Sequence, residues 1–178
     1  MTPRLSRRPN LFLAAFALSQ FAPLGVAAQA TQPLEDASMG VRMQVPKAWL
    51  VEQKSNGPMA SCDPNMTRIV VCYLSLSMTK AAAGQTAFTD ADRDKFKKWS
   101  ASGGGGPVVE ARDVKLSGFP AFETVTKSGR DTVYRAFVLM DSPPRVIDVT
   151  FYGDGKGDWY GRYKLAVDKA MGTITAWK

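Results

Sequence analysis

Apolar and polar residues alternate through much of this chain. Met39, Val41, Met43 and Val45 stand against Gly40, Arg42 and Gln44. That period of two predicts a half-buried strand, which Pro46 ends. Trp49 to Lys54 predicts a second short strand, and Ser55 to Asn65, with Gly57, Pro58 and Pro64, predicts a loop. Arg68 to Met78 predicts a third strand, with Cys72, Leu74, Leu76 and Met78 on one face and Ser75 and Ser77 on the other. The polar stretch Thr31 to Ala37 reads as a loose leader. Four further strands are predicted over Val108 to Leu116, Ala121 to Lys127, Thr132 to Met140 and Arg145 to Tyr152. Turn residues separate them: Gly118-Phe119-Pro120, Ser128-Gly129-Arg130 and Ser142-Pro143-Pro144. Such short links favour antiparallel hairpins. Thr132 to Met140 is apolar on both faces, which predicts a central strand covered on both sides.

Two segments carry helical spacing instead. Thr89 with Asp92 three residues later has the pattern of a capping box. Asp90, Asp92 and Asp94 then precede Lys95, Lys97 and Lys98, an order that suits the helix dipole. Phe88, Phe96 and Trp99 supply its buried side, and the glycines from Gly103 to Gly106 are expected to stop it and start a loop. The last helix is predicted from Asp158, as N-cap, to Ala176. Trp159, Tyr163, Ala166, Val167, Ala170, Met171 and Ile174 form its apolar stripe. The fold class is α+β, an antiparallel sheet with helices segregated on its faces.

The N-terminus reads differently. Arg4, Arg7 and Arg8 precede an apolar run from Leu11 to Ala28, and Ala28-Gln29-Ala30 is a small-x-small cleavage site. That order predicts a secretory signal over residues 1–30, cut after Ala30. Gln20, Pro23 and Gly25 interrupt the run and no basic stop follows, which argues against a permanent membrane span. Ser6-Arg7-Arg8 resembles the twin-arginine signal, but Asn10 is a poor match, so the general route is expected. Residues 31–178 are then one domain in the periplasm or outside the cell, in contact with a membrane only through the leader. The formal net charge of +7 falls once the leader arginines are gone. Charges of both signs are scattered, so no nucleic acid is indicated. In an exported chain, the two cysteines, Cys62 and Cys72, are most simply a disulfide. Their spacing does not fit a redox C-x-x-C pair.

Certain segments carry a resemblance. VRMQVPKAW, VKLSGFPAFE, the strand pair TVYRAFVLM and RVIDVTFYG, and the amphipathic helix after them resemble the corresponding parts of PsbP-like/Mog-like domains. This family includes an extrinsic photosystem II subunit, a Ran-binding protein and bacterial periplasmic relatives. The resemblance implies a three-layer α/β/α sandwich around a mostly antiparallel sheet, with the long C-terminal helix packed on it. It also implies mostly non-enzymatic assembly factors and binding modules. The chain lacks the lipobox of many bacterial relatives and adds the cysteine pair, and no functional residue carries over.

The chain contains no histidine. Serine or cysteine nucleophiles activated by imidazole, and histidine metal sites, are thereby excluded. Glu110, Asp113, Glu123, Asp141 and Asp148 read as exposed strand charges with no pairing in their spacing. Gly103 to Gly106 follows a helix and lacks the Gly-Lys-Ser/Thr of a phosphate cradle. Asp154 to Asp158 lacks the closing Glu of a calcium loop. No catalytic residue, metal site or cofactor is expected. Trp159, Tyr160 and Arg162 are the first candidates for a contact surface, since aromatics and Arg anchor interfaces. The expected role is an exported, non-enzymatic binding or accessory protein for a protein or small ligand. The alternatives are an inhibitor or immunity-type protein that blocks one partner, and an enzyme using carboxylate or Lys groups in a sheet–helix pocket.

Overall fold

The structure is a computed structural model that describes residues 30–62, 72–129, 131–153 and 159–177, with Cys72 and Trp159 by their backbone. The signal segment up to residue 29, the loop between the cysteines and the glycine-rich link at 154–158 lie outside the described residues. So does the N-cap expected at Asp158.

The main sheet grows from the predicted hairpins. β6 (Val108–Leu116), β7 (Phe119–Ser128), β8 (Asp131–Asp141) and β9 (Pro144–Gly153) follow one another as an antiparallel meander. β3 (Leu50–Lys54), β4 (Gly57–Ser61) and β5 (Cys72–Lys80) form a second meander. β5 pairs with β9 from Cys72↔Gly153 to Lys80↔Arg145, which joins the two into one antiparallel sheet of order β3-β4-β5-β9-β8-β7-β6. A smaller antiparallel sheet has β2 (Val41–Pro46) between β1 (Thr31–Asp36) and β10 (Thr175–Ala176).

Each face of the main sheet is covered. Tyr134, Ala136, Val138 and Met140 of β8 join one core, shared with the small sheet and with α2 (Trp159–Met171). Phe137 and Leu139, on the opposite face, join a second core under α1 (Asp90–Ser100). Phe96 of α1 stacks on Phe137 with ring centroids 4.1 Å apart. Each such buried phenylalanine contributes about 2–3 kcal/mol. The result is an α+β fold with its C-terminal helix packed on the sheet, as expected, and β8 is the doubly covered strand that its sequence predicts.

The capping box of α1 is present: the Asp92 amide donates to Thr89 Oγ1 at 3.2 Å, and the Thr89 amide donates to Asp92 Oδ2 at 2.9 Å. Four expectations need correction. The expected leader at Thr31–Ala37 is strand β1, whose Leu34 is fully buried and which is held by pairing to β2. The expected loop at Ser55–Asn65 contains β4. Its Gly57, at φ +125, starts the strand, and β3 and β5 pair with it on either side. The glycines after α1 do not stop the helix at once: it widens into a π-helical turn over Ala101–Gly105. Gly105 is required there, because a side chain would run into Thr126. The last helix ends at Met171, not Ala176. Thr173 Oγ1 donates to the Ala170 carbonyl at 2.6 Å, and the chain then extends into β10. Among the described residues no helix is long and apolar enough to cross a membrane.

Candidate functional site

The residues first expected to form a contact surface open α2. Tyr160 is half-buried and stacks on Phe151 at 5.8 Å, so much of its ring is spent on packing. Burial pushes its hydroxyl up to about 12. Arg162 is exposed one residue past Gly161, and Trp159 begins the helix. The structure therefore sets Tyr160 and Arg162 on the same turn but uses Tyr160 mainly as a core side chain.

Beneath Tyr160 lies a polar cluster. Two carboxylates read from sequence as exposed strand charges are buried, and Glu123 is one of them, at 6% exposure. Its carboxylate accepts from Tyr134 Oη and from Arg112 Nε, the latter at 2.8 Å. Burial, together with the carboxylate beside it, pushes the Tyr134 hydroxyl far up. The Lys164 ammonium sits 4.5 Å from the Tyr134 ring centroid. The space among Glu123, Tyr134, Tyr160 and Lys164 is about 40 Å³. That is room for about one water and not for a substrate. The cluster is chemically a clamp between sheet and helix.

Asp148 is the second buried carboxylate, at 4% exposure on the opposite face. Burial raises it from its ordinary range, against the nearby Arg135 charge and the Thr150 hydroxyl, which donates at 3.1 Å. Glu110, Asp113 and Asp141 are exposed, as expected. Among the described residues no cluster of three or more Cys, Asp or Glu is placed to hold a metal ion.

An open cleft of about 520 Å³ lies where the small sheet meets the end of the main one. The β1–β2 turn, the end of β5, the β8–β9 turn and Trp177 enclose it. Met39, Met78, Pro143 and Trp177 give it apolar walls, and Met78 and Trp177 remain 41% and 36% exposed. Its charges are Lys80 and Arg145, and among the described residues no acid lines it. The two cations stand directly opposite each other in the β5–β9 register. Arg145 is 3% exposed. Its Nη1 donates to the Pro143 carbonyl at 2.8 Å and its Nη2 to the Gly40 carbonyl at 2.6 Å, while Nε is buried with no partner among the described residues. Burial pulls the guanidinium below its ordinary value, and the nearby Asp141 opposes that. Gly40, at φ +61, allows this approach: a Cβ there would stand 3.2 Å from Nη2. The Trp177 amide in turn donates to the Gly40 carbonyl at 2.8 Å. Sequence reasoning missed Arg145, because its burial depends on Gly40 and Trp177, far away along the chain.

The cysteines and the expected cut can also be located. Cys62 follows β4 and is buried, and Cys72 begins β5. Ser61 pairs with Tyr73 across these strands. Ala28 is outside the described residues. Ala30 precedes β1, and its carbonyl accepts from the Lys47 amide at 2.9 Å.

No protein-family model and no curated protein matches the chain. Solved structures do. Cyanobacterial PsbP (CyanoP) from Synechocystis sp. PCC 6803 is similar over 86% of this chain and 96% of its own, at 12% identity and TM-score 0.57. The Saccharomyces cerevisiae Ran-binding protein Mog1p is similar over 84% of this chain and 96% of its own, at 7% identity and TM-score 0.56. LpqN, involved in cell envelope biogenesis of Mycobacterium tuberculosis, covers 82% of this chain and 90% of its own, at 16% identity and TM-score 0.52. Each likeness covers more than four fifths of the chain, so the chain has the PsbP-like/Mog-like fold that its strand and turn motifs resemble.

Proposed function

We propose that this chain is an exported, non-enzymatic accessory protein that holds a partner or small ligand at the cleft between its two sheets. One contrast carries the reading. The buried titratable cluster sits in a filled sheet–helix interface, whereas the open cleft has apolar walls and cations and, among the described residues, no carboxylate. The chain lacks histidine, which leaves few routes to acid–base catalysis. The fold is shared with proteins described as Ran-binding and as involved in cell envelope biogenesis, which supports an accessory role.

The basic, apolar and small-residue order of residues 1–30 supports export to the periplasm or beyond, leaving 31–178 as the working domain. Carried one residue past Ser61↔Tyr73, the strand register brings Cys62 opposite Cys72. Directly opposed residues have Cα atoms about 4.5–5.5 Å apart, within disulfide reach, which supports a bond between them. The helix end with Trp159, Tyr160 and Arg162 is a second contact surface, with Arg162 its outward member.

A pull-down of the tagged mature protein from the native periplasm, read by mass spectrometry, tests this reading. Retention of a protein or small molecule is expected. Turnover of a substrate by the purified protein, abolished by Glu123→Gln, would overturn it. A single protein retained in equal amount, whose activity is blocked, would favour the inhibitor reading. Intact mass before and after reduction checks the cut after Ala30 and the disulfide.

A further inference from the structure

We infer that the cleft binds a small amphiphilic carboxylate, its head between Lys80 and Arg145 and its apolar body against Met39, Met78, Pro143 and Trp177. This deepens the accessory reading above and rests on it.

Three observations lead there independently. Lys80 and Arg145 are directly opposed across β5 and β9. Like charges at that position destabilise a sheet. Both cations line the same cleft, which among the described residues has no acidic lining residue to offset them. Among the described residues neither forms an ion pair with a carboxylate, whereas Arg42, Arg93 and Arg112 each do. Second, Arg145 is nearly fully buried and held in place by two backbone carbonyls. Its orientation is fixed before any ligand arrives, so binding loses little side-chain freedom. Among the described residues no carboxylate bonds to it, and Asp141, the nearby acid, is exposed outside the cleft. A buried cation of this kind gains most from a hydrogen-bonded anion.

The third observation concerns the walls. Met78 and Trp177 are two of the large apolar side chains that remain exposed, and both face this opening. A cavity of about 520 Å³ falls in the range of small-molecule sites, which pair apolar walls with a few fixed polar groups. An inorganic anion would use the cations and leave the walls wet. A neutral lipid would use the walls and leave the cations opposed. A carboxylate on a short hydrocarbon chain uses both.

The test is calorimetric titration of the mature protein with decanoate, decanol and decyltrimethylammonium, each below its aggregation concentration. Decanoate is expected to bind at least about tenfold more tightly than either of the others. The decisive variant is Lys80→Glu. It replaces a like-charge pair with an opposite pair, so the melting temperature is expected to rise while decanoate affinity falls about tenfold or more. Lys80→Gln is expected to weaken decanoate binding by a smaller factor, and Met78→Asp, which puts an acid on the wall, by about tenfold. Arg145→Gln carries a folding risk, and these rim variants replace it. Equal binding of decanol and decanoate, or decanoate affinity unchanged in Lys80→Glu and Met78→Asp, would overturn the proposal. The accessory reading would then still rest on the pull-down, whereas hydrolysis of a decanoyl ester by the protein would sink that reading instead.

Discussion

Glu123 and Asp148 are both buried carboxylates, and their neighbours give them opposite consequences. Glu123 accepts hydrogen bonds from Tyr134 and Arg112, so removing it strands the buried Tyr134 hydroxyl. Glu123→Ala is expected to lower the unfolding free energy in urea by about 2–3 kcal/mol. Arg112→Ala, whose side chain is 68% exposed, should cost less than about 1 kcal/mol in the same measurement. Asp148 has a hydroxyl donor but no ion pair among the described contacts, and burial raises its pKa. Its native form therefore holds the proton more tightly than the unfolded chain does. The associated stability is fully present below the unfolded value, near 3.8, and is lost as pH rises through the raised native value. Asp148→Asn should accordingly leave the melting temperature nearly unchanged at pH 3 and raise it at pH 8. The strand positions of both acids were legible in the sequence; their burial was not. The alternation around Glu123 places it on the face of Ala121 and Val125, but α2 and Tyr134 close over it from distant parts of the chain.

At the level of elements, legibility follows the range of the interactions that hold each one. α1 and the four strands from β6 to β9 were readable because caps, turn residues and alternation are local. Thr89→Ala should cost about 1 kcal/mol of stability and Thr89→Ser much less, measured by thermal unfolding, because the hydroxyl is what accepts from the Asp92 amide. β1, β4 and β10 were not readable. None has a strong apolar period, and each exists because a neighbouring strand supplies its hydrogen bonds. The π-helical turn was hidden for a similar reason. Gly103 to Gly106 looks like a linker until Thr126 and Arg135 approach it, and contact with β7 and β8 decides how it winds.

For the molecule as a whole, the cleft was the part least visible in advance. Its walls come from β1–β2, β5, β8–β9 and the segment after β10, four stretches far apart along the chain. The export and disulfide expectations arise instead from short local patterns. If Cys62 and Cys72 are joined, replacing both by serine should lower stability by about 2–3 kcal/mol in guanidinium unfolding. The same replacement should leave the mass unchanged on reduction, whereas the parent gains about two hydrogens.

The seam between β5 and β9 has a consequence for how the molecule assembles. Every other neighbouring pair in the main sheet joins strands that follow each other along the chain, so each meander can wind from local contacts. The seam joins strands separated by α1 and three further strands, and closing so long a loop is expected to be slower than winding either meander. Until that step both halves present open edges, to which a second unfolded copy could add. The opposed cations Lys80 and Arg145 stand at the last register pair of this seam. An anion seated between them would draw the two halves together where they repel, and so would speed the joining as well as profit from it.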